Sequence, residues 1–74
     1  MNFRISRHAR RQMKWRKISE EEVVGLIKDP DSELTTIKGR ANFIKILGKS
    51  LIKVTALRDN DGIIVITALR KEYR

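Results

Sequence analysis

Two hydrophobic periods divide the chain at Pro30: apolar positions recur every three or four residues before it and alternate after it, so helices come first and strands follow. Ser6 is a good N-cap. The run Arg7 to Arg16 holds no Gly or Pro and places Ala9, Met13 and Arg16 on one stripe, which predicts a short helix. Ser19 opens a second helix, with Glu22 three residues on completing a capping box and Val23, Leu26 and Ile27 supplying the inward stripe. That helix should stop at Lys28 or Asp29, because a proline pushes the residue before it out of helical geometry. Beyond it, Gly39-Arg40, Gly48-Lys49 and Asp59-Asn60-Asp61-Gly62 punctuate four alternating segments, at roughly 33–38, 41–47, 50–58 and 63–70. Connections this short demand antiparallel hairpins. The expected fold is a single α+β domain over residues 1–74, two N-terminal helices packed on a four-stranded antiparallel meander, with Phe3 to Ile5 fitting a short edge strand.

Parity within the strands sorts the two faces of the sheet. Ile44, Ile46, Ile52, Val54, Ala56, Ile64, Ile66 and Ala68 form an apolar set, assigned to the face beneath the helices. The opposite set mixes Phe43, Leu51 and Leu57 with Lys45, Lys53, Thr55 and Thr67, which predicts a partly open face crossed by lysines. The segment 63–69 is apolar on both sides and belongs inside the sheet.

Charge adds a direction to this outline. The 74 residues suffice for one core, and 17 Lys+Arg against 9 Asp+Glu give a formal net charge of +8. Residues 1–17 carry Arg4, Arg7, Arg10, Arg11, Lys14, Arg16 and Lys17 and no acid, so most of the field arises at the N-terminal end. A helical face that is merely solvated usually mixes signs. Arg7, Arg11 and Lys14 instead lie along one side of the first helix with Arg10 and Lys17 beside them, a spacing suited to RNA phosphates or another polyanion. Lys45 and Lys53 extend the nucleic-acid-binding set onto the sheet. The absence of cysteine excludes a disulfide scaffold, a zinc ribbon and a thiol nucleophile, and points to the cytoplasm. No apolar run is long enough to cross a bilayer or to form a signal core, so no membrane partner is expected.

The candidate chemistry is sparse. His8 is the only histidine, the residue type most used to move protons in catalysis, and it stands at the start of the first helix among Arg7, Arg10 and Arg11. It is a candidate general acid or base; the plainer alternative is that it bonds a backbone carbonyl where the helix meets the sheet. Arg11, Arg40 and Arg70 are candidates to stabilise charge on a scissile phosphate, as arginine does in metal-independent ribonucleases, and Arg70, Lys71, Tyr73 and Arg74 cluster just past the last strand. There is no convincing carboxylate pair, no glycine-rich phosphate loop and no metal-ligand cluster, so neither metal nor cofactor is expected. With aromatics at 5%, a base-stacking sheet is not expected, and Trp15 is assigned to a core or an interface. A homodimer through Trp15 and Phe43 is the remaining assembly option.

The string from Ile5 to Val23, with Ser6-Arg7-His8-Ala9, Met13 and Arg16 on one helix, then Ile18-Ser19 and Glu20-Glu21-Glu22, resembles the opening of the family known as domain of unknown function 4258. Val65-Ile66-Thr67-Ala68 is similar to that family's final strand, so the resemblance spans nearly the whole chain. The sequence departs from the pattern at Gln12, Trp15 and Lys17, where arginine, glutamate and glycine are usual. The resemblance implies a scaffold similar to RelE/ParE and BrnT-type toxins, some of which cleave RNA without a metal and are neutralised by an acidic antitoxin. The function expected is therefore a small basic RNA-binding protein acting as a metal-independent endoribonuclease toxin. In it His8 moves the proton, Arg11, Arg40 or Arg70 meets the phosphate charge, and Lys45 and Lys53 hold the backbone. The alternative is a non-catalytic module that binds an acidic protein or nucleic acid through its basic first helix.

Overall fold

A computed structural model describes residues 2–35, 39–60 and 62–72. In chain order they form β1 (Asn2–Ile5), α1 (Arg7–Arg16), α2 (Glu20–Lys28), β2 (Ser32–Thr35), β3 (Arg40–Leu47), β4 (Ser50–Asp59) and β5 (Gly62–Glu72). Both helices begin at the expected caps. The Ser6 hydroxyl accepts from the Ala9 N–H at 3.1 Å. Ser19 and Glu22 satisfy each other's backbone N–H groups, each at 3.1 Å. Lys17 closes α1 with a left-handed backbone, φ 56°, and donates its N–H to the Met13 carbonyl. The Ile18 N–H bonds the same carbonyl at 2.8 Å, which folds buried Ile18 back over buried Met13.

The strands form one sheet in the order β1-β5-β4-β3-β2. The architecture is therefore α+β with two helices and a five-stranded mixed sheet: β2 to β5 run antiparallel in chain order, and the segment expected as a short edge strand is β1, a full fifth strand whose parallel pairing makes the sheet mixed. β1 pairs β5 in parallel, Phe3 opposite Ile63 and Ile5 opposite Val65, and the other pairings are antiparallel. β5 lies inside the sheet as expected. β2 begins one residue before the expected segment, whose last residues, 36–38, lie outside the described set.

The face assignment needs two corrections. In β3 the buried residues are Ala41 and Phe43, while Ile44 is half-buried and Ile46 exposed on the opposite face. The cause is the two-residue loop Gly48-Lys49, with Gly48 at φ 62°: it pairs Leu47 with Ser50, so odd positions of β3 face even positions of β4. Phe43 thus stands beside Val54, and Lys45 beside Ile52. In β5 the buried residues are Ile63, Val65 and Ala68 rather than Ile64 and Ile66. A register shift opposite Thr55 and Ala56 leaves Ile66 as an extra residue and reverses the parity beyond it.

The helices share one core with the inner face of the sheet: Ala9 and Met13 of α1 and Val23, Leu26 and Ile27 of α2 meet Phe43, Ile52, Val54 and Val65. Phe43 is fully buried, with the Arg58 guanidinium 5.3 Å from its ring centroid, so it is not available for a dimer contact. Among the described residues no helix covers the other face, and no helix is long and apolar enough to cross a membrane.

Helix α1 occupies an unusual place. β1 covers the outer edge of β5 only from Gly62 to Val65, and beyond that point α1 side chains take over the edge. The Ser6 N–H bonds the Val65 carbonyl at 2.9 Å and its hydroxyl donates to the Ile66 carbonyl at 3.3 Å. Gln12 Oε1 accepts from the Ala68 N–H at 3.0 Å, and Arg16 donates to the Arg70 carbonyl at 3.4 Å. A strand edge that would otherwise offer open backbone groups is closed by a helix.

Candidate functional site

The Ile66 bulge and the Ser6 cap together decide where His8 goes. The bulge turns the Ile66 carbonyl toward the Ser6 hydroxyl, and the same oxygen caps α1, so the helix starts at a fixed point beside β5. His8, two residues inside the helix, then borders a concavity of about 600 Å³ lined by Ser6, His8, Arg40, Asn42, Thr55, Ile66 and Thr67. Arg40 comes from the start of β3, Asn42 from the same strand, Thr55 from β4 and Thr67 from β5. Register places Asn42 opposite Thr55 and Thr55 opposite Thr67, a polar row across three adjacent strands on the outer face.

This lining is suited to an anion. It contains an imidazole, a guanidinium, an amide and hydroxyls, and no carboxylate. Thr55 Oγ1 donates to Asn42 Oδ1 at 2.7 Å, which fixes the amide and leaves its nitrogen to donate. His8 is exposed and makes no hydrogen bond or ion pair to another described residue. The expected bond from His8 to a backbone carbonyl at the helix–sheet junction is therefore not formed among the described residues; the Ile66 carbonyl there accepts from Ser6.

The other sequence candidates divide between the two sides of the molecule. Arg11 stands with Arg7 and Lys14 on the outward side of α1, all three exposed and outside the lining. Lys53 is half-buried on the outer face, opposite Ile44 and Leu69. Lys45 and Arg70 are on the inner face, beside Ile52 in the strand register, and so stand away from the concavity. Lys45 Nζ donates to the Asp29 carbonyl at 2.9 Å and lies 3.6 Å from its carboxylate, at the margin of a smaller cleft that also contains Glu21 and Glu22. Arg70 donates to the Lys17 carbonyl at 3.3 Å, tying the end of β5 to the end of α1. Arg10 pairs with Glu20 across the helix junction, which directs it toward α2. Lys71 is exposed, and Tyr73 and Arg74 lie outside the described residues. Among the described residues no group of three or more acidic or histidine side chains is placed to hold a metal.

Sequence reasoning singled out His8 and Arg40 but missed Ser6, Asn42, Thr55 and Thr67 as co-lining residues. Thr55 and Thr67 were visible as polar breaks in apolar strands; joining them to His8 requires the register and the bulge. The departures from the family pattern also find places here. Gln12 seals the β5 edge, Lys17 holds the left-handed cap, and Trp15 projects into solvent, 85% exposed, in neither core nor intramolecular interface.

Comparison with curated proteins and with solved structures gives no match. The family model described as Domain of unknown function (DUF4258) matches residues 5–70, which takes in both helices, the outer polar row and the strand that carries the bulge, and the chain belongs to that family.

Proposed function

We propose that the protein is a small RNA-binding protein on a RelE-like scaffold that cleaves RNA without a metal, as the toxin of a toxin–antitoxin pair. The observation that supports this is the convergence of His8 and Arg40, from opposite sides of one carboxylate-free concavity, beside a helix face of uniform positive charge. A phosphodiester in the concavity meets the guanidinium of Arg40 and the amide of Asn42, while the ribose 2′-hydroxyl lies toward His8. His8 takes the 2′-hydroxyl proton as that oxygen attacks phosphorus. The 5′-oxygen then leaves and is protonated from solvent, giving a 2′,3′-cyclic phosphate and a 5′-hydroxyl end. Arg7, Arg11 and Lys14 hold neighbouring phosphates, with Lys53 on the sheet side. An acidic antitoxin is the expected protein partner, since it would neutralise the same stripe.

The test is cleavage of a mixed-sequence RNA in EDTA. Wild type should yield cyclic-phosphate ends, and His8→Ala or Arg40→Ala should lower the rate by about 10²-fold or more. Intact RNA with folded wild-type protein contradicts the catalytic reading.

The non-catalytic reading has one observation in its favour: Arg7, Arg11 and Lys14 are exposed and make no ion pair with another described residue. It predicts that reversing these three charges abolishes binding of RNA or an acidic protein, while His8→Ala changes nothing.

A further inference from the structure

Trp15 is the chain's single tryptophan, and its ring is almost fully in water. An indole in that position presents a large apolar face and a polar N–H edge to solvent, and tryptophan is a residue type enriched where another surface docks. Its place on α1 narrows the choice. Met13 faces the core and Arg10 faces α2, while Gln12 and Arg16 face the β5 edge. The remaining flank, on the side of the outer sheet face, carries His8, Arg11 and Trp15, three and four residues apart. His8 and Trp15 are therefore on one stripe, two turns and about 10 Å apart along the axis. Arg11 lies between them. No acidic residue occurs in the first 17 positions, and the outer strand face adds Arg40, Lys53 and Lys71.

We infer that Trp15 stacks on a nucleobase of single-stranded RNA whose backbone runs from the His8 concavity along this flank. The inference rests on the RNA reading above and names its substrate class. A cationic flank attracts phosphate, an aromatic face accepts any base, and the two together are what unpaired RNA presents and a duplex hides. One exposed ring beside one phosphate site makes a single clamp, in contrast to a sheet-wide stacking platform. An apolar or acidic protein surface is the competing occupant, and the experiment separates it.

Because the protein has one tryptophan, its emission reports the contact directly. The probes are a 2′-O-methyl oligoadenylate, which cannot form the 2′-oxyanion, a duplex RNA of equal length, and inorganic polyphosphate. The single strand should quench the emission strongly, and polyphosphate should bind without quenching. Trp15→Ala should weaken single-strand binding about tenfold with an unchanged salt slope, and Trp15→Phe should retain most of the affinity. Duplex affinity should be unaffected by either change. Binding of the oligoadenylate with unchanged emission and wild-type affinity in Trp15→Ala overturns the stacking while leaving the RNA reading in place. Failure of every RNA to bind folded wild type overturns both.

Discussion

Lys17 shows how much one backbone angle can be worth. It is the one described residue other than glycine with a left-handed backbone, φ 56°, and a side chain there is crowded by the neighbouring carbonyl. The Ile18 N–H needs that angle to turn back to the Met13 carbonyl, which also accepts from the Lys17 N–H, so the conformation is imposed by the cap. Lys17→Gly should stabilise the fold by about 0.5–1 kcal/mol, visible in thermal unfolding as a midpoint several degrees higher. Gly25 is the opposite case. It is exposed within α2, and a Cβ built there meets nothing within 4 Å, so its missing side chain has no packing cause in the isolated chain. Gly25→Ala should stabilise by roughly 1 kcal/mol in urea unfolding, through helix propensity and a less flexible unfolded state. If either substitution destabilises, the account of that position is wrong.

Among the elements, the seam between α1 and β5 matters most to the site. Ser6 both caps the helix and bonds the bulge, so Ser6→Ala removes two restraints with one oxygen. The expected outcome is a loss of about 1–2 kcal/mol in stability and, on the proposed function, a lower cleavage rate and an unchanged salt slope for RNA binding, because His8 is displaced while the basic stripe of α1 is intact. This seam also explains what the sequence revealed and what it hid. Helix limits were legible because caps are local: Ser6, Ser19, Glu22 and Pro30 act within a turn of themselves. The inner residues of β4 were legible too, since Ile52, Val54 and Ala56 alternate without interruption. Phe43 and Ile46 were placed on the wrong faces because parity is relative: only the loop at Gly48 sets β3 against β4, and a one-residue change of register inverts every side chain. The bulge at Ile66 had no glycine to mark it, standing between the β-branched Val65 and Thr67. β1 has its partner sixty residues away, which no local pattern encodes. The concavity suffers from all three effects at once, so only His8 and Arg40, distinctive by chemistry, were seen in advance.

At the scale of the whole molecule the charges are segregated. The segment through α1 is purely basic, whereas α2 and the approach to β2 carry Glu20, Glu21, Glu22, Asp29, Asp31 and Glu33 against Lys28 alone. The outer sheet face continues the basic side with Arg4, Arg40, Lys53 and Lys71, and the described strand residues in register with them include no acid. On the proposed function, this segregation steers a polyanion to the side that holds the concavity. Reversing Arg7, Arg11 and Lys14 should flatten the log–log salt dependence of single-strand binding by about two, near 0.7 for each phosphate no longer neutralised, and titrations at several salt concentrations measure it. The most direct test of the site itself is an amide NMR titration with a 2′-O-methyl oligonucleotide. The account predicts shifts concentrated at Ser6, His8, Arg40, Asn42, Thr55 and Thr67, with the amides of α2 unmoved. Shifts confined to α2 and β2, or none at saturating RNA, contradict it.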